Sequence, residues 1–199
     1  MVTRIGSDES LKGDTFGGLV VAAVKADDTG RKALEELGIK DSKKLTDIRI
    51  RILAKKVKEV AKVYFVNMYP EEYNGEIEKY GLTGVMNKLH TKCTKALEFA
   101  DEEVIVDQYP GAVVAGAKLV VRAEDEYIEV AAASVIARAL ALEQIQELSI
   151  LFGEKLPLGS THVFNSLIAL RDSGKDFRKY AKVSFRNVRE IMNTAGGKI

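Results

Sequence analysis

Carboxylates recur in this chain where short apolar runs end. Asp8 and Glu9 follow Ile5-Gly6-Ser7, Asp107 closes Val104-Ile105-Val106, and Glu124 and Asp125 close Leu119-Val120-Val121. Successive side chains on a strand point to opposite faces, so one of two adjacent acids at a strand end has to face inward. A buried carboxylate needs a partner, and a metal ion accepts several at once. Acids converging from three strand ends would form an all-oxygen site, which suits a hard ion, Mg²⁺ or Mn²⁺. Two such ions can activate a water and stabilise the leaving oxygen of a phosphodiester. Zinc does not suit the sequence, because His90 and His162 have no ligand spacing. Strand-end acids also serve as caps and turn formers, so on pattern alone both readings stay open.

The bulk numbers bound the setting for that chemistry. The 199 residues suit one domain, and 46% apolar residues are enough for a core. No apolar run reaches the length of a membrane span, and no signal-peptide core opens the chain. The one cysteine, Cys93, excludes an internal disulfide and fits a reducing, cytoplasmic compartment. The net charge of +1 hides a segregation. Residues 40–62 carry nine Lys/Arg against three Asp/Glu, residues 171–199 eight against three, and residues 98–147 three against eleven. Basic flanks around an acidic centre suit a polyanion gripped at its edges while metal ions sit in the middle, although most such side chains are ordinary solvated helix faces.

The elements that would position these groups can be read in order. Residues 3–8 and 17–26 read as strands forming an antiparallel pair across a glycine-bearing turn. A short helix is expected over 28–37, with Thr29 a possible cap and Gly38 its end. After the polar turn Asp41-Ser42-Lys43-Lys44, Thr46 caps a helix to about Val60 whose apolar stripe is Ile48, Ile50, Leu53, Val57 and Val60. Strands are expected over 61–68, 103–108 and 118–123. Helices are expected over 70–80, over 85–100 after a break at Gly81 to Gly84, and over 130–151. The last is apolar on nearly every side, hence buried. A helix capped by Ser160 or Thr161 runs to Asp172, and a basic helix covers 187–193. The pattern predicts a single α/β domain, a mixed sheet with helices on both faces.

These stretches also resemble a known family. Ile5-Gly6-Ser7-Asp8-Glu9-Ser10 with Lys12-Gly13-Asp14 is similar to the first motif of the type 2 ribonucleases H, Asp41-Ser42-Lys43-Lys44-Leu45 to the second, and Val106-Asp107-Gln108 to the third. Arg122-Ala123-Glu124 with residues 130–138 resembles the fourth, while Leu156-Pro157-Leu158-Gly159-Ser160 and residues 181–187 resemble late segments of the ribonuclease HIII branch. That branch carries Glu at the fourth acidic position, where ribonuclease HII carries Asp. The resemblance implies a ribonuclease H-like mixed sheet flanked by helices. It implies an endonuclease that needs Mg²⁺ or Mn²⁺, with two ions, and cuts the RNA strand of RNA–DNA hybrids to leave 3′-hydroxyl and 5′-phosphate ends. Asp8, Glu9, Asp107 and Glu124 become the catalytic and metal-binding set. Lys12 and Gly13 match the loop whose main chain lies against RNA 2′-hydroxyls, and Ser42, Lys43 and Lys44 match phosphate contacts. No obligate protein partner is evident.

Two departures stand out. Leu11 occupies the family's first loop glycine. It would cost about 1–2 kcal/mol at left-handed angles, so a shifted or more mobile loop is expected, with Leu11→Gly raising cleavage. The branch also often carries an N-terminal domain like the TATA-binding protein, whereas residues 1–199 here read as the catalytic domain alone. A weakly active or non-catalytic hybrid-binding homologue is the alternative that these departures suggest. Among other residues, His90 reads as a helix-packing histidine, Tyr73, Tyr80 and Tyr109 as half-buried core tyrosines rather than base-stacking groups, and His162 as a weak neighbour of the site.

Overall fold

The structure, a computed structural model, describes residues 3–39, 45–100 and 102–194. Five strands form one mixed sheet: β1 (Arg4–Ser10), β2 (Leu19–Ala26), β3 (Lys62–Met68), β4 (Glu103–Asp107) and β5 (Ala117–Val120). Their order is β3-β2-β1-β4-β5. The first three run antiparallel to their neighbours, whereas β4 pairs parallel to β1 and β5 parallel to β4. The expected mixed sheet with helices on both faces is therefore present.

The apolar sequence of β2 shows why two layers form. Val20, Ala22 and Val24 face one core, and Leu19, Val21 and Ala23 face the other. On the first face lie α1 (Asp28–Glu36), α2 (Asp47–Val60) and α5 (Ile128–Phe152), and the second is covered by α3 (Pro70–Lys95). The remaining helices are α4 (Ala123–Glu126), α6 (Phe164–Asp172) and α7 (Arg186–Thr194).

α5 crosses β1 at Gly6, where a Cβ would lie 2.3 Å from the Val130 nitrogen and 2.4 Å from the Glu129 carbonyl carbon. Only glycine admits this approach. Two buried polar side chains on α5 meet partners on the sheet and on α1. The Gln144 amide accepts from the Gly18 N–H (2.8 Å) and donates to Met68 O (3.2 Å) and Asn67 Oδ1 (2.5 Å), tying the helix to β2 and β3. Buried Glu129 meets Arg31 at 3.3 Å and Arg4 at 3.8 Å, which compensates a charge that could not otherwise be buried.

Several local expectations need correction. The cap of α1 is Asp27, whose carboxylate accepts from the Gly30 N–H, not Thr29. Thr46 does cap α2, but Ile48 on the expected stripe is 73% exposed. The break in α3 is confined to Gly81, at φ 67°. α6 begins after Val163 with no side-chain cap from Ser160 or Thr161. β5 ends at Val120, so the chain turns at Arg122, in the left-handed region, and Glu124 sits on the one-turn helix α4 rather than at a strand end.

Candidate active site

Register brings the first two acids together. Ser7 on β1 pairs with Val106 on β4 in parallel, so Asp8 and Asp107 each lie one residue beyond the last pair. Gly6 and Ile105 are also paired, and both face α5. The alternation of a strand puts Asp8 and Asp107 on that same face. Asp107 then fixes a third acid. Its Oδ1 accepts the Ala123 N–H at 2.9 Å, tying down the start of the helical turn that carries Glu124. Burial foremost, and then the charges of Glu9, Asp107 and Glu124, push the Asp8 carboxyl well above the ordinary range, against a hydrogen bond from the Glu9 N–H at 2.8 Å. Asp107 is raised as well, by burial and by Glu124 and Glu9.

Glu9 points to the opposite face, as adjacent strand residues must. Burial acts to raise its carboxylate, but His90 and Lys12 outweigh that and hold it below the usual range. The Lys12 ammonium donates to Oε1, and His90 Nε2 stands 3.4 Å from Oε2. Ser7 Oγ donates to Ala22 O at 2.8 Å, so its lone pair accepts from His90 Nδ1 at 2.9 Å. With Nδ1 carrying a proton, Nε2 faces Glu9 and attracts its carboxylate only when the ring is the doubly protonated imidazolium. Tyr109 stacks on the imidazole, 5.3 Å between ring centres, with its hydroxyl donating to Asn87.

The sequence reading of His90 as a packing residue is therefore incomplete: it packs and also touches Glu9. The signal available was one helical turn in α3 carrying Asn87 and His90, both facing the ends of β1 and β4. Tyr73 and Tyr109 are core residues as expected, while Tyr80 is 57% exposed. His162 is exposed and forms no hydrogen bond or ion pair among the described residues. Cys93 is buried, and burial pushes its thiol up to about 12, so it has no nucleophilic role. Ser42, Lys43 and Lys44 lie outside the described residues. Among the described residues, Glu9, Ser10, Leu45, Asp47, Ser134 and Arg138 line a cleft.

Leu11 overturns its expectation. It holds φ 68°, the left-handed angle a glycine would adopt, and its side chain is 2% exposed in the core, packed over Gly17. The loop keeps a tight path, with Asp14 N–H donating to Leu11 O at 3.2 Å and Thr15 N–H to Gly159 O at 2.9 Å. Leu11→Gly would relieve about 1–2 kcal/mol of backbone strain but forfeit a buried leucine worth roughly 2–5 kcal/mol. We expect a net loss of up to about 4 kcal/mol in stability and no gain in kcat/KM, checked by chemical denaturation and steady-state kinetics side by side.

Lys182, which the sequence did not mark as special, lies fully buried beneath this loop. Burial, opposed by the Asp14 carboxylate, brings its ammonium down from 10.5 to about 7. Between those values the unfolded chain holds a proton that the folded chain does not, so this residue makes stability rise as pH climbs from about 7 toward 10.5. Unfolding of wild type and Lys182→Met across that window should show the rise reduced in the variant.

Asp8 lies within the field of Glu9, Asp107 and Glu124, oxygen donors of the kind that suit a hard divalent cation. Among the described residues, no three His, Cys, Asp or Glu side chains stand ready-made as a cage for an ion. The fit to such an ion rests on donor chemistry and on the shared field at Asp8, where these carboxylates would hold it.

Residues 5–188 match the family model described as ribonuclease HII. A ribonuclease HIII of Limosilactobacillus fermentum is 31% identical over 96% of this chain and 69% of its own length. One from Aquifex aeolicus is 32% identical over 90% of this chain and 70% of its own. The crystal structure of Bst ribonuclease HIII in complex with Mn²⁺ superposes with a TM-score of 0.87 at 28% identity, covering 98% of this chain and 70% of that one. With the family match spanning nearly the whole chain, this chain belongs to the ribonuclease HII family, whose members are ribonucleases H.

Proposed function

We propose that Asp8, Glu9, Asp107 and Glu124 hold Mg²⁺ or Mn²⁺ and that the chain hydrolyses the RNA strand of RNA–DNA hybrids, leaving 3′-hydroxyl and 5′-phosphate ends. The observation that carries this reading is the buried Asp8 carboxyl, held well above its ordinary range in the field of three further acids. A cluster of like charges is costly unless a cation or protons compensate it. Bound divalent ions would supply an activated water and a counter-charge for the leaving 3′-oxygen.

The chain's own residues do the rest. Asp107 orients Glu124 through the Ala123 N–H, and His90 and Lys12 hold the Glu9 carboxylate ionised and directed. The exposed turn at Lys12 and Gly13 faces the 2′-hydroxyl edge of the substrate, and basic side chains of residues 40–62 and 171–194 hold its two backbones. No described helix is long and apolar enough to cross a membrane. We place the enzyme in the cytoplasm, where a lone buried thiol stays reduced.

Incubation of an end-labelled hybrid with Mg²⁺ or Mn²⁺ tests the reading. The expected result is cleavage of the RNA strand alone into products with 5′-phosphates, and none without metal. Binding of hybrid without cleavage under either metal contradicts it.

A further inference from the structure

Lys182 has no place in the carboxylate chemistry, yet the chain buries its amine completely. Its Nζ donates to Leu11 O at 2.7 Å and to Asp14 O at 2.5 Å, and it lies 5.2 Å from the Tyr73 ring centre and 5.4 Å from that of Phe185. The Asp14 carboxylate is the charged group that the amine feels. The main chain around it is fastened as well, with Lys182 N–H donating to Thr15 O at 3.0 Å and Gly17 N–H to Tyr180 O at 2.9 Å. The two Nζ bonds hold the ends of the turn from Leu11 to Asp14, and the main-chain bonds fasten the segment that follows it.

The consequence follows from peptide geometry. In a trans peptide the C=O and the following N–H point in opposite directions. With Leu11 C=O directed down to Lys182, the Lys12 N–H is directed up and away from the core. Gly13 is exposed, and neither the Lys12 nor the Gly13 amide donates a hydrogen bond among the described residues. Two free amides on an outward turn can each donate to a hydroxyl oxygen. Leu11, at its left-handed angle, keeps the turn tight from within while the lysine holds its carbonyls.

We propose that Lys182 is a positioning residue for substrate reading, clamping the Leu11 and Asp14 carbonyls from beneath so that the Lys12 and Gly13 amides are presented to the RNA 2′-hydroxyl. The inference rests on the hybrid-cleaving function proposed above. It separates recognition of the ribose from the carboxylate chemistry, since Lys182 bonds to none of the four acids.

The test compares wild type, Lys182→Met and Lys182→Gln for binding to an RNA–DNA hybrid and to a DNA duplex of the same sequence. Binding is measured without divalent metal and at one salt concentration, because phosphate contacts depend on salt. Methionine keeps the length and removes both the donors and the charge, whereas glutamine restores a neutral donor. Wild type should prefer the hybrid. In Lys182→Met hybrid binding should weaken about tenfold, the size of losing one or two neutral amide-to-hydroxyl hydrogen bonds, with DNA binding unchanged and Lys182→Gln intermediate. Unchanged hybrid preference in a folded Lys182→Met overturns the proposal and leaves the function standing. Equal loss on both duplexes also overturns it, by making the effect general. If neither variant folds, Lys182 is a structural residue and the proposal fails. If wild type itself does not prefer the hybrid, the proposed substrate fails with it.

Discussion

Asp107→Asn is expected to lower metal-dependent hybrid cleavage at least about 100-fold, the scale of losing one electrostatic element of an active site, while leaving the fold intact. The two halves of that expectation have separate causes. Asparagine keeps an Oδ1 that can accept the Ala123 N–H, so α4 and Glu124 remain placed. It removes the negative charge that a divalent ion would meet. Asp107→Ala should differ instructively, because it also releases the start of α4 and lets Glu124 drift. Kinetics of both variants, with circular dichroism and thermal melts to show that they fold, check the result. Near wild-type cleavage by a folded Asp107→Asn would remove Asp107 from the site.

Gly6→Ala should be the most damaging single methyl group near the site. Its Cβ would lie 2.3 Å from the Val130 nitrogen and 2.8 Å from the Glu129 side chain. Backbone cannot yield as a side chain can, so α5 has to move off β1, or β1 has to bend. Overpacking of this kind costs about 1–3 kcal/mol and sometimes more. With two rigid elements in opposition we expect the upper end, about 3 kcal/mol, or a fall in Tm of roughly 6–12 °C. Because Asp8 and Glu9 follow on the same strand, cleavage should fall even in the fraction that stays folded. A melt within a degree or two of wild type, with normal kcat, would show that α5 does not rest on Gly6.

Much of this was legible in the chain. The mixed sheet followed from the order of strands and helices along the chain, and the unbroken run of β2 from Leu19 to Val24 is buried on both faces. Asp107 was readable as a strand-end acid because β4 ends there, whereas β1 runs on past its apolar residues through Asp8 and Glu9 to Ser10. Glu124 was assigned through resemblance, and its local setting was misjudged. Leu119-Val120-Val121 looks like strand to its end, but Arg122 takes left-handed angles and the Asp107 carboxylate starts a helical turn across the chain. Nothing local to residues 117–126 carries that information.

The remaining gaps have the same origin in long-range contact. His90 could be placed on a buried helix face, but the Ser7 hydroxyl that fixes its tautomer lies 83 residues away. Leu11 seemed a misfit when judged as a substitute for glycine. Its side chain fills the space over Gly17, a gain that a comparison of turn residues alone cannot register. Lys182 looked like one more cation in a basic tail, yet its two carbonyl partners are 171 and 168 residues distant. In each case the residue type suggested the common environment, and contacts far along the sequence supplied a different one.

The most direct test of the central claim is binding of Mn²⁺ itself, measured by titration calorimetry on wild type, Asp8→Asn and Asp107→Asn without nucleic acid. If the four acids close on a divalent ion, wild type binds Mn²⁺, and each variant binds it at least about tenfold more weakly while melting as a folded protein. Wild-type Mn²⁺ affinity in both folded variants would contradict the account, because the ion would then be held somewhere other than between Asp8 and Asp107.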